Sequence, residues 1–178
     1  MWWLPELRAR LSQGDVLGET PCGRLHHPRV PLKRDGKQAW KEHPEDAKDS
    51  NGMAHWLARG KVQHILVLSH SCELDKMHRK ALVLVAPIAR LSSVSSPEDR
   101  RRILEQKRRA FLPLPDLPGL GDCYADLRAS HAIDRTTVDL LERMASLTDQ
   151  GAQRLGAQVI GFFTRLNVPD NEIIVVPD

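Results

Sequence analysis

The segment Ser69-His70-Ser71-Cys72-Glu73 gathers the most chemically able side chains of this sequence, and it directly follows the apolar run Ile65-Leu66-Val67-Leu68. Side chains at the end of a strand are held by the sheet while staying accessible. A cysteine beside a histidine can become a thiolate and attack an electrophile. His70 and Cys72 stand at i and i+2, so they point the same way if the segment stays extended. The plainer alternative is an inert buried thiol beside a turn built from Ser and Glu. Together with Cys22, His26 and His27, the same two residues offer enough donors for four-coordinate zinc. No CxxC or HxxxH spacing supports such a site, and the Cys22 and Cys72 groups would have to meet through a long loop. Solvated surface histidines are the alternative, and neither a metal nor a cofactor is assigned.

The strongest electrostatic feature is Arg100, Arg101, Arg102, Lys107, Arg108 and Arg109, six cations within ten residues. A nucleic-acid backbone lying along such a run would be held in a salt-dependent and weakly sequence-selective way. Glu98, Asp99 and Glu105 compensate part of this charge, and the alternative is a solvated helix face. Trp2, Trp3, Trp40 and Trp56 could stack bases, or could pin the chain's first segments onto its core or a subunit interface.

These residues need elements to position them. Gly14-Asp15-Val16-Leu17 predicts a strand after a short helical lead-in. Residues 20–60 hold Pro21, Pro28, Pro31 and Pro44, many charges and few aliphatics, which predicts an excursion from the core with turns at Asp35-Gly36 and Asn51-Gly52. Met53–Arg59 reads as a short helix closed by Gly60. The apolar runs 65–68 and 81–86 read as central strands covered on both faces. Ser96-Pro97-Glu98-Asp99 opens a helix, with Ser96 as cap and Pro97 in the first turn, running on through Ala110. An extended segment follows at Phe111–Pro115 and a strand at Tyr124–Leu127. Leu140, Leu141, Met144 and Leu147 predict a helix over Arg135–Leu147. Leu155, Val159, Phe162 and Phe163 predict a second over Asp149–Leu166, with Thr148 as cap, and Ile173–Val176 reads as a last strand.

The order of these pieces resembles the MazF/PemK family of ribonuclease toxins. Gly14-Asp15-Val16 resembles that family's opening "GD(I/V)" strand, Ile65–Ser69 its "AVVLS" strand, and Leu84-Val85-Ala86-Pro87-Ile88 its "VVPI" strand. Leu112–Pro115 sits where an "LP" segment lies. Asp126-Leu127-Arg128 with Ile133-Asp134 resembles "DQIRTVD", and Met144–Thr148 resembles "GRLS". The segment Leu68–Leu74 is also similar to an "LSQxCDI" signature of bacterial and mobile-element proteins with this strand order.

The resemblance implies an SH3-like β-barrel with a C-terminal helix, usually dimeric, that cleaves single-stranded RNA without metal. Family members use an arginine just before the second strand and a threonine just after "VP(I/C)". Those positions fall at Gln63, next to His64, and at Ala89, next to Arg90, so neither catalytic residue is kept. General acid/base cleavage needs groups bracketing a phosphate and a cation for the developing charge. The candidates here are His64, His70 and Arg90, with Cys72 for the separate thiol chemistry.

The chain has 178 residues, is 41% hydrophobic and 28% charged, and carries a net charge of +3, which excludes wholesale disorder and suits one domain or a domain with a large insertion. No apolar run reaches the roughly 18 residues of a membrane span, and Met1–Glu6 does not read as a signal peptide. Three widely spaced cysteines are no disulfide framework, so a cytoplasmic location is expected. The reading is therefore a mainly β protein with helices (α+β), an SH3-like MazF/PemK-type barrel over 14–166. A long insertion covers 20–60, a basic helix 96–111, and helices close the C-terminus. Its expected function is an RNA-directed toxin or defence-type protein, with metal-independent endoribonuclease activity. The alternatives are an inactive barrel that binds nucleic acid or protein, and a cysteine- or zinc-dependent site at Cys72. Expected partners are single-stranded RNA or another nucleic acid, an antitoxin-like or defence-operon protein, or a second copy in a homodimer, and no membrane.

Overall fold

The computed structural model describes residues 1–24, 30–34, 37–41, 59–76 and 81–164. Contacts divide the chain into two compact units, Pro21–Val62 and the remainder. In the smaller unit, strands β2 (Val30–Arg34) and β3 (Lys37–Lys41) pair antiparallel, with Val30 opposite Lys41 and Arg34 opposite Lys37. The turn expected at Asn51-Gly52, the helix at 53–59 and the strand at 173–176 lie on residues outside those described, Arg59 apart, which begins a strand.

The larger unit holds a mixed α+β fold around a curled antiparallel sheet of seven strands, ordered β6-β7-β5-β4-β1-β9 with β8 beside β5. The strands are β1 (Asp15–Arg24), β4 (Arg59–Val67), β5 (Leu82–Arg90), β6 (Phe111–Leu117), β7 (Gly121–Asp126), β8 (His131–Asp134) and β9 (Arg143–Ser146), of which β1 and β4 continue into the smaller unit. The sheet curls at β5. On one edge, residues Leu82–Val85 pair with β8, and Ile88–Arg90 then pair with β7. On the other edge, Val85, Ala86 and Pro87 pair with β4.

The apolar runs form central strands because both their faces are covered. Leu66, Leu68, Ala86 and Ile88 join the main core with Leu112, Leu114, Ala125, Leu127 and Leu155. Ile65, Val67, Val83 and Val85 alternate with them and are equally buried. Helices α1 (Ser71–Lys76) and α3 (Arg135–Val138) bury Leu74 and Val138. Helix α2 (Pro97–Leu104) packs beside β6. Helix α4 (Asp149–Thr164) sets Leu155 into the core, with Val159 and Phe162 against it.

Three expected elements differ. The N-terminal segment is not helical: Leu4 donates to the Ser146 carbonyl at 2.9 Å and Thr148 to the Trp2 carbonyl at 2.9 Å, so the segment runs alongside β9. The helix expected over 135–147 is a single turn, and Arg143–Ser146 is a strand against β1. Ala145 and Leu147, two apart, both enter the core, while Leu140 is 87% exposed. Leucines at helical spacing thus serve a turn and then a strand, because the neighbouring β1 backbone offers partners that a helix would leave unused. The basic helix stops at Leu104, six residues short of Ala110. The caps do form as expected: Asp99 N–H donates to Ser96 Oγ at 3.2 Å and Gly151 N–H to Thr148 Oγ1 at 3.2 Å.

Candidate functional site

The paired strands β4 and β5 carry chemically able residues at both ends. Gln63 lies midway along β4, two residues before the stretch where Ile65, Leu66 and Val67 pair with Pro87, Ala86 and Val85. The Gln63 amide Nε2 reaches the Ile88 carbonyl at 3.3 Å. His64 follows, on the same strand parity as Leu66 and Leu68. Its side chain is 19% exposed and its Nδ1 lies 4.0 Å from Glu19 Oε1 on the adjacent β1. Sequence reading did not single out Glu19, because it lies far from His64 along the chain and only strand pairing joins them. Arg90 ends β5, is exposed, and stands opposite Cys123 of β7. Burial pushes the Cys123 thiol up, and the Arg90 charge works against that shift.

At the other end of β4, Ser69 anchors the chain to β5. Its N–H donates to the Leu84 carbonyl at 3.3 Å, and its Oγ accepts from Leu84 N–H at 2.9 Å. Gln13 holds the same turn, donating from its amide Nε2 to the Leu68 carbonyl at 2.8 Å and from its backbone to Ser71 Oγ at 3.1 Å. His70 then precedes α1, and Glu73 and Leu74 N–H both donate to its carbonyl. The His70 Nδ1 lies 2.9 Å from Cys72 Sγ and also accepts from Cys72 N–H at 3.3 Å. Glu73 Oε1 is 4.0 Å from the same sulfur. All three residues are exposed. The pair forms although the segment is not extended: the start of a helix brings i and i+2 together through the capping contact. From His64 to Val67 is three residues, about 10 Å of strand, and His70 lies beyond it. His64 and Arg90 therefore share one end of the strand pair, and His70 and Cys72 the other.

Of the zinc candidates, His70 and Cys72 are adjacent, Cys22 belongs to the smaller unit, and His26 and His27 lie outside the described residues. Among the described residues, no three His, Cys, Asp or Glu side chains group as metal ligands would.

The basic run divides between α2 and the loop after it. Arg101 is clamped between Glu98, at 2.8 Å, and Glu105, at 2.9 Å. Lys107 meets Glu105 at 2.7 Å, and Arg108 pairs with Asp99, whose carboxyl is held down by that guanidinium. Arg100 donates to the Val94 and Ser95 carbonyls. Arg102 and Arg109 complete the set, Arg102 half-buried and Arg109 exposed. Arg101, Lys107 and Arg108 are thus matched by the three acids in the same segment.

A second feature was not singled out from sequence. The Phe111 and Tyr124 rings meet edge to face at 5.1 Å, and the Arg128 guanidinium lies 4.4 Å from the centre of the Phe111 ring, held by Asp126 at 2.8 Å. Both rings are half-buried. A guanidinium lying over an aromatic ring is the kind of surface that can stack a base. Antiparallel pairing of β6 with β7 assembles them, and no local motif announces it. Trp3, in contrast, is buried and structural, its indole donating to the Pro115 carbonyl at 2.8 Å. Trp2 is half-buried under Arg154, Trp40 lies in β3, and Trp56 is outside the described residues.

No protein-family model matches this chain, and no curated protein matches it. No helix among the described residues is long and apolar enough to cross a membrane.

Proposed function

We propose that this chain is an RNA-directed protein of the MazF/PemK type, a toxin or defence component that works in the cytoplasm on single-stranded RNA. The observation that carries the reading is the contact of the Gln63 amide with the Ile88 carbonyl, one residue before Ala89. The family's two catalytic positions fall at Gln63 and Ala89, and residues serving one phosphate must be neighbours across strands. Neither Gln63 nor Ala89 can supply the family's chemistry. In this reading His64 takes the 2′-OH proton, Glu19 steers its ring, and Arg90 offsets the charge developing on the phosphate. The basic segment Arg100–Arg109 holds the strand. A helical antitoxin or a second copy would be its protein partner.

A second reading is favoured by a specific observation. The Gln63 amide is spent on a backbone carbonyl and Ala89 has no functional group, which suits a barrel that binds RNA without cutting it.

One experiment separates the two. Labelled single-stranded RNA is incubated with the protein in EDTA, and binding is followed across a salt series. The first reading expects fragments ending in cyclic phosphate, with a loss of about 100-fold in rate for His64→Ala. Salt-dependent binding without cleavage selects the second. Neither cleavage nor binding removes the RNA assignment altogether.

A further inference from the structure

We propose that Cys72 and His70 form a nucleophilic pair that takes a small-molecule disulfide, making Cys72 a site of reversible mixed-disulfide formation. The geometry is that of a nucleophile with its base already in place: Sγ lies 2.9 Å from Nδ1, and both side chains are open to solvent. Nδ1 also accepts the Cys72 backbone N–H, so it carries the lone pair, and the ring proton of the neutral imidazole sits on Nε2. The ring cannot swing away without giving up both contacts. The turn beneath it is tied down by Ser69 to β5 and by Gln13 to the N-terminal segment.

The chemistry balances without any further component. His70 Nδ1 takes the thiol proton, and the Cys72 sulfur attacks one sulfur of the disulfide. A new S–S bond forms as the old one breaks, and the departing half leaves as a thiolate that carries the electron pair. That thiolate regains a proton from the imidazolium. Cys72 is oxidised and half of the small disulfide is reduced.

The other two cysteines serve as internal controls. Cys22 and Cys123 are both buried, and burial pushes both thiols up, away from the reactive form. Neither offers an accessible thiol to resolve a mixed disulfide at Cys72, so the adduct stays until an outside thiol removes it. The pair stands beyond the C-terminal end of β4, while Gln63 and His64 lie midway along it, so this reactivity does not depend on contact with RNA.

The test uses an aryl disulfide, dithiobis(nitrobenzoate), on the native full-length protein at pH 7, followed by the coloured thiolate released and by peptide mapping. One equivalent is expected in a fast phase, mapped to Cys72 and absent in Cys72→Ser. Its rate should exceed that of the same cysteine in the urea-unfolded chain by about tenfold or more. His70→Asn keeps a capping acceptor but removes the base, so it should lower the rate to that of the unfolded chain while leaving the circular dichroism unchanged. A fast phase mapped to Cys22 or Cys123 would overturn the proposal. So would a Cys72 rate equal to the unfolded value, or a His70→Asn variant as fast as the wild type.

Discussion

Asp15 is the one fully buried carboxylate among the described residues, and it sits where β1 meets β9. Its Oδ1 accepts from Ser146 at 2.6 Å and its Oδ2 from Ser12 N–H at 2.8 Å, with Arg143 at 3.7 Å. Burial outweighs these contacts and pushes the carboxyl up from its ordinary value. A carboxyl raised in the folded state opposes folding while it is ionised and ceases to do so as pH falls through its folded value. The wild type should therefore gain stability relative to Asp15→Asn as pH drops from 7 toward 4. Urea midpoints of both proteins across that range check this, and a difference that is flat or runs the other way would contradict it. The Gly14-Asp15 dipeptide was legible in the sequence as the opening of a strand. The cage around Asp15 was not, because Ser146 and Arg143 lie at the far end of the chain. The same holds at the candidate site. His64, His70, Cys72 and Arg90 could be picked out by type, but Glu19 could not.

Helix α2 shows what local sequence does and does not mark. Its start is plain in Ser96-Pro97-Glu98-Asp99, and the cap forms. Its end carries neither Gly nor Pro. Gln106 instead adopts a left-handed conformation with φ 56°, while Lys107 N–H reaches the Arg102 carbonyl at 2.9 Å and Gln106 N–H the Ile103 carbonyl at 2.9 Å. That is the Schellman arrangement, in which glycine is the usual occupant. Gln106→Gly should stabilise the protein by about 1 kcal/mol by relieving the left-handed strain. An unchanged or lower melting temperature would argue against it. The stop has a functional consequence: Lys107, Arg108 and Arg109 leave the helix, and Arg108 folds back onto Asp99. A run of cations read as one basic stripe becomes an internally paired segment.

At the scale of the larger unit, the curled sheet has two end strands, β6 and β9. Trp3 links them. Its backbone bridges to Leu147 just past β9, and its indole N–H donates to the Pro115 carbonyl of β6. Trp3→Phe keeps an aromatic ring in the core but loses that bond, leaving the carbonyl of half-buried Pro115 to find another partner. It should cost about 1–2 kcal/mol in urea denaturation. A cost near zero would mean the indole plays no part in closing the sheet.

Hydrophobic patterning was enough to read a mixed α+β protein, the central strands 65–68 and 81–86, and the capped starts of α2 and α4, because burial period and capping chemistry are local. Only tertiary structure made 143–146 a strand, ran the N-terminal segment along β9, and brought Gln63 to Ile88 and Glu19 to His64. Each of those depends on a partner distant in sequence, whose backbone or side-chain groups become available only once the strands have met.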